Sequence, residues 1–245
     1  MISISYKSGG HAIIIVGGNS GIGQALIQLC LESNIKVLSI DIQKSSPFID
    51  EDVYYFKANP LFKQELQDLI SPILKISDSI VGLVNLSGTI KYFDTIEDAK
   101  TESWDETYDI SFKSCLHSCQ VFSSLLKDRL GSAIVNMSSG LAFIGQKNYG
   151  PYSAAKAAVV SLTKTLAAEL APNVRVNCIA PGAVDTPFIY GSDKTTRFDL
   201  ENYRSRVLTG DIARPEEISH VIMYLLSSGA SHITGECIHV NGGVR

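Results

Sequence analysis

The stretch SSGLAFIGQKNYGPYSAAK, residues 138–156, holds three side chains that could do acid–base chemistry together. They are Ser139, Tyr152 and Lys156, spaced 13 and then four residues apart. If the segment is helical, Tyr152 and Lys156 share a face, because residues four apart stack. A free tyrosine has a pKa of about 10, too high for a base at neutral pH. A neighbouring ammonium favours the phenolate and is expected to lower that value. Tyr152 could then exchange a proton with an alcohol or carbonyl oxygen. Ser139 could hydrogen-bond the same oxygen and hold it. The spacing alone is common on ordinary amphipathic helices, so the surrounding elements decide what it means.

Those elements alternate. Short, nearly continuous apolar runs at 12–16, 36–40, 53–56, 80–86, 133–137, 175–179 and 237–240 read as strands. Helical patterns near 21–33, 63–76, 103–130, 152–170 and 215–227 lie between them. Pro215 followed by Glu216 and Glu217 is a sound helix start. The alternation predicts an α/β fold, a doubly wound parallel sheet with helices on both faces. No repeat or linker divides the chain, so residues 1–245 read as one domain. Two polar stretches break the rhythm. Residues 91–102 read equally well as surface decoration or as a binding loop. Residues 186–210 read as a lid over a site.

AIIIVGGNSGIGQAL puts glycines directly after the first strand and at the start of a helix. Gly17, Gly21 and Gly23 let the backbone turn tightly and approach a pyrophosphate, whose charge faces the helix N-terminus. Asp41 follows Gly23 by 18 residues, at the end of the second strand. A carboxylate there can accept both ribose hydroxyls of an adenosine and would repel a 2′-phosphate. Ser20 is not basic, and the first lysine after Asp41 is Lys44. NAD is therefore expected over NADP. Asp41 could also be a turn or capping residue.

GGNSGIG, VNLSG, Ser139, YSAAK, NCIAPGAVDT and TGECIHVNGG stand in the order and spacing of the classical short-chain dehydrogenases/reductases, which this chain resembles over almost its whole length. The resemblance implies a Rossmann-like sheet of order 3-2-1-4-5-6-7, a nicotinamide cofactor and a secondary alcohol or ketone as substrate. It also implies a homotetramer packed through the helices at 103–130 and 152–170. It assigns Tyr152 as general acid/base and Ser139 to the substrate oxygen. Lys156 would lower the tyrosine pKa and bind the nicotinamide ribose. The cofactor set it implies adds Asn19, Ser20, Ile22, Asn59, Asn85, Gly88, Pro181, Gly182, Val184 and Thr186. Thr186–Pro187 could equally be a helix-capping pair.

Four positions depart from the family pattern. Val16 replaces a threonine that braces the glycine loop. Asn59 replaces an aspartate that contacts the adenine, and its amide oxygen could still accept that bond. Asn-Asn-Ala-Gly has become Asn85-Leu86-Ser87-Gly88. Ser111 stands where an asparagine holds a water that links the lysine to solvent. Serine binds water but reaches less far, so Ser111 is expected to sustain a relay, with lost turnover as the alternative.

Other classes find less support. A net charge of −4 speaks against a general nucleic-acid or anionic-membrane surface. The five cysteines are scattered without metal-site spacing, so no metal is expected. Reduced thiols, the lack of a signal-like N-terminus and the lack of a long apolar run suit a cytoplasmic protein. Two further readings remain. One is an NADPH-dependent 3-oxoacyl-thioester reductase, with Lys127 and Arg129 in a basic docking face. The other is a weakly catalytic NAD-binding regulator or scaffold.

Overall fold

The computed structural model describes residues 11–43, 50–190 and 199–244. Its strands are β1 (Ala12–Val16), β2 (Lys36–Asp41), β3 (Val53–Lys57), β4 (Ile80–Asn85), β5 (Ser132–Met137), β6 (Val174–Pro181) and β7 (Cys237–Val240). They form one sheet in the order β3-β2-β1-β4-β5-β6-β7, with every neighbouring pair parallel. This is the expected Rossmann-like order. The order reverses between β1 and β4, which opens a crevice at the carboxyl ends of the strands.

Strand β1 shows how the layers form. Ile13 and Ile15 pack with Leu26 and Ile27 of α1 (Gly21–Glu32) and with Ile218 and Ile222 of α8 (Pro215–Leu226). Ala12, Ile14 and Val16 face the other way. They join Leu66 of α2 (Lys63–Asp68), Ile73 of α3 (Ile70–Ile76), Phe122 of α5 (Ser114–Phe122) and Val159 of α6 (Gly150–Leu170). A strand covered on both faces has no solvent side to spend on polar residues, hence the unbroken apolar runs. Arg175 on β6 fixes α8 to the sheet. Its guanidinium donates to the carbonyls of Leu225, Leu226 and Ser227 at 2.6, 3.3 and 3.1 Å, where the helix leaves acceptors unpaired.

Two helices differ from the sequence reading. The pattern at 63–76 is split into α2 and α3. Pro72 has no N–H for the carbonyl of Asp68, so one helix cannot run through. The single helix expected at 103–130 is instead α4 (Thr101–Tyr108), a π turn at Asp109–Lys113, α5, and a closing 3-10 turn at Ser123–Leu125. The π turn contains Ser111, which is fully buried. Such single turns occur often at functional positions. Among the described residues, no helix is long and apolar enough to cross a membrane.

Candidate active site

The glycine loop is built by steric necessity. Gly17 has φ +89°, a conformation that costs other residues about 1–2 kcal/mol. A Cβ on Gly23 would stand 2.6 Å from the carbonyl oxygens of Gly17 and Gly18, so only glycine lets α1 start against the loop. Ser20 caps the helix: its Oγ accepts from Gly23 N at 3.0 Å and donates to Gly17 O at 2.8 Å. The other N–H groups of this first turn lack intrahelical acceptors, and Gly21 and Ile22 border the crevice. Asp41 is oriented by the backbone. Its Oδ2 accepts from Asn19 N at 3.1 Å and its Oδ1 from Gln43 N at 3.2 Å. The amide oxygen of Asn19 is buried without a partner. The open helix N-terminus suits a pyrophosphate and the acceptor groups beside it suit ribose hydroxyls, the two features that a dinucleotide presents. Lys44 lies outside the described residues.

At the other side of the crevice stand Ser139, Tyr152 and Lys156. Ser139 follows β5 in extended conformation and caps a 3-10 turn, its Oγ accepting from Leu141 N at 3.2 Å. Tyr152 and Lys156 lie on the first turns of α6, both buried. Lys156 Nζ donates to Met137 O at 2.9 Å and Ser87 O at 3.1 Å, and lies 5.7 Å from the Tyr152 ring centre. It thus ties the ends of β4 and β5 to α6. Gly88 makes room for it: a Cβ there would sit 3.0 Å from Nζ.

The electrostatics differ from expectation at Tyr152. Burial pushes its phenol above the ordinary range, and a hydrogen bond with Ser139 pulls the other way without cancelling it. The expected fall is therefore absent in the chain alone. Burial lowers Lys156 to about 8, with nearby Cys115 opposing.

Ser111 Oγ accepts from Thr89 N at 3.1 Å and donates to Thr89 O at 3.3 Å. The hydroxyl therefore braces the chain just beyond Gly88. The point that a Gly88 Cβ would occupy is 3.8 Å from Ser111 Oγ and 3.0 Å from Lys156 Nζ. Lacking a Cβ, Gly88 lets Lys156 pack close against it, with Ser111 just beyond.

Pro181 at the end of β6, and Gly182, Val184 and Thr186 beyond it, border the crevice. Thr186 does not cap the following 3-10 turn with its side chain; its Oγ1 donates to Val184 O at 3.3 Å. The methyl of Thr186 reaches the glycine loop, 2.7 Å from where a Gly21 Cβ would be. Two residues assigned to the cofactor already make hydrogen bonds within the chain. Asn85 is buried, its Nδ2 donating to Asn136 Oδ1 at 2.9 Å, so its side chain braces β4 against β5 rather than facing the crevice. Asn59 Oδ1 accepts from Leu61 N at 3.0 Å, which leaves one lone pair of that oxygen for an adenine.

The crevice encloses about 730 Å³. Its walls include Phe93, Phe143, Tyr149 and His239, which sequence reasoning did not assign, and Tyr203 and Arg206 from the expected lid at 186–210. Phe93 is the one residue of the 91–102 stretch that lines the crevice. The expected lid is described only at its flanks, where Ile189 and Leu200 pack with Ala183 and Ile212. Asp193, Lys194, Arg197 and Phe198 lie outside the described residues. Among those described, no three His, Cys, Asp or Glu side chains gather in a way that could hold a metal ion.

Residues 16–245 match a family model described as enoyl-(acyl carrier protein) reductase. The chain belongs to the short-chain dehydrogenase/reductase family. A 3-oxoacyl-[acyl-carrier-protein] reductase of Thermotoga maritima is 31% identical, over 96% of this chain and 98% of that protein. The ligand-free aldohexose dehydrogenase of Thermoplasma acidophilum superposes with a TM-score of 0.87 at 26% identity, covering 95% of this chain and 93% of its own. The 3-ketoacyl-(acyl-carrier-protein) reductase of Brucella melitensis, solved with NADH, also gives 0.87, at 25% identity and with 96% and 98% covered. As a short-chain dehydrogenase/reductase, the protein is an NAD(P)-dependent oxidoreductase acting on CH–OH groups.

Proposed function

We propose that this short-chain dehydrogenase/reductase transfers hydride between NAD(H) and a small or medium secondary alcohol or ketone, with Tyr152 as general acid/base. The observation that carries this reading is the clamp of Lys156 on Met137 O and Ser87 O, beside Tyr152, in the crevice that the glycine loop also borders. The bound dinucleotide supplies or accepts the hydride. Tyr152 moves the proton of the substrate oxygen, and Ser139 holds that oxygen. Gly17, Ser20, Gly21, Ile22 and Gly23 receive the pyrophosphate, and Asp41 the adenosine ribose. Val184 and Thr186 meet the nicotinamide end. The reading includes a homotetramer built through α5 and α6, in a cytoplasmic setting where the thiols stay reduced.

Ser111 serves this site as a positioning residue. It fixes Thr89 beyond Gly88, and its hydroxyl stands near Lys156 as the member of the site that would pass a proton towards solvent. Ser111→Ala should lower kcat about tenfold and stability by about 1 kcal/mol, because the Thr89 N–H loses its partner. The KM for NADH should hold. Steady-state kinetics and urea unfolding check this; a stability loss with unchanged kcat would leave only the bracing role.

Coenzyme choice follows from Asp41. A 2′-phosphate would meet its carboxylate, so NADH should be preferred over NADPH by at least about tenfold in kcat/KM, roughly 1.4 kcal/mol. Asp41→Ala removes the repulsion and leaves Lys57, its register partner on β3. The preference should fall to near parity in the variant. An unaltered preference would remove Asp41 from the ribose site.

The 31% identity to a 3-oxoacyl-[acyl-carrier-protein] reductase supports a second reading, reduction of an acyl thioester. Its basic docking face is weakened by Arg129, whose guanidinium donates to Ser79 Oγ at 3.1 Å and Asp78 O at 3.0 Å. Turnover of an acyl thioester with NADPH, faster than any simple ketone with NADH, would favour it.

A further inference from the structure

Besides Lys156 and the imidazole of His239, the only basic side chain among the described residues lining the crevice is Arg206. Its backbone is fixed from both sides. Arg206 N donates to Tyr203 O at 3.0 Å, and Tyr203 Oη accepts from Ala183 N at 2.9 Å, on the turn that follows β6. A Cβ on Gly182 would stand 2.1 Å from that hydroxyl, so glycine permits the contact. On the other side, Leu208 N and Thr209 N donate to Gly242 O at 2.9 and 3.2 Å. Arg206 is exposed and lines the crevice, and no ion pair joins it to a carboxylate among the described residues. Arg204, two positions earlier, is spent on Asp211 at 2.8 Å.

The position of this arginine relative to the glycine loop follows from the β6 turn. At its far end Thr186 touches Gly21 of the loop; at its near end Ala183 is held by Tyr203. Arg206 therefore stands at the end of the turn away from the dinucleotide loop. We infer that Arg206 anchors a carboxylate of the substrate, so that the crevice takes small oxo acids and the corresponding hydroxy acids. This rests on the hydride-transfer reading above. A guanidinium presents a planar fork that matches a carboxylate with two N–H···O bonds. Asp199 borders the same wall, its Oδ1 accepting from Asn202 N at 2.9 Å. A single guanidinium offers one fork, which the two oxygens of one carboxylate fill.

The test uses the intact chain loaded with NADH. Pyruvate, acetoacetate and levulinate are titrated, each beside its methyl ester, and binding and NADH oxidation are followed together. At least one acid should exceed its ester about 50-fold in kcat/KM. Arg206→Gln should bring that acid down to the level of its ester, and Arg206→Lys should recover part of the loss. Equal use of acid and ester, an equal loss for both in Arg206→Gln, or no acid binding to the NADH-loaded wild type would overturn the inference. Failure of the hydride-transfer reading looks different: wild type would oxidise NADH with neither acids nor neutral ketones.

Discussion

Replacing Tyr152 with phenylalanine should slow ketone reduction by about 10³-fold and leave NADH affinity within about twofold. The ring is buried, 6.3 Å from that of Phe188, so phenylalanine fills the same space and α6 keeps its start. Only the proton donor is lost. The direction of the Tyr152 shift also sets a pH dependence. Burial holds the phenol above its ordinary pKa, so at neutral pH it carries the proton that a ketone oxygen needs. Reduction should be flat through neutral pH and fall as pH rises through the tyrosine pKa. Alcohol oxidation needs the phenolate and should rise with pH over the same interval. Initial rates in both directions, with NADH binding measured on wild type and variant, check this. Turnover retained by the variant would remove Tyr152 from the proton transfer.

Lys156→Met should cost about 10²-fold in turnover and also weaken NADH binding, because one side chain serves two purposes. Its ammonium holds the carbonyls of Met137 and Ser87 in place and lies near the tyrosine ring. Burial lowers the Lys156 pKa from its ordinary 10.5 to about 8. Between those values the unfolded chain binds more protons than the folded one, so wild-type stability should rise with pH across that window. It should fall again as pH drops towards 8, where the buried amine must carry charge. Lys156→Met lacks this dependence. Urea unfolding at neutral pH and near pH 10 should show the gap between wild type and variant moving in favour of wild type. A constant gap would mean that the amine is not buried as described.

The sheet was legible because its central strands are apolar on both faces, and the glycine loop because Gly17 takes a positive φ and Gly23 leaves no room for a Cβ. Helix interruptions were harder. Pro72 is a local breaker that could have been weighed, but the π turn at Ser111 carries no comparable mark in DISFK. Asn85 looked like part of a cofactor motif; its actual partner, Asn136, lies on the next strand, 51 residues away. The crevice walls were hidden for the same reason. Phe93, Arg206 and His239 come from segments after β4, after β6 and in β7, and only the tertiary fold brings them to one crevice. The sign at Tyr152 failed because spacing told of the nearby ammonium and not of the burial around the phenol.

The most direct measurement is NADH binding and NADH oxidation by the same wild-type preparation, across ketones that include oxo acids, open-chain sugars and cyclic ketones. Saturable NADH binding is expected, with turnover of at least one ketone at a rate that falls about 10³-fold in Tyr152→Phe while binding persists. Tight NADH binding with no turnover of any ketone would contradict the hydride-transfer reading and leave a dinucleotide-binding regulator in its place.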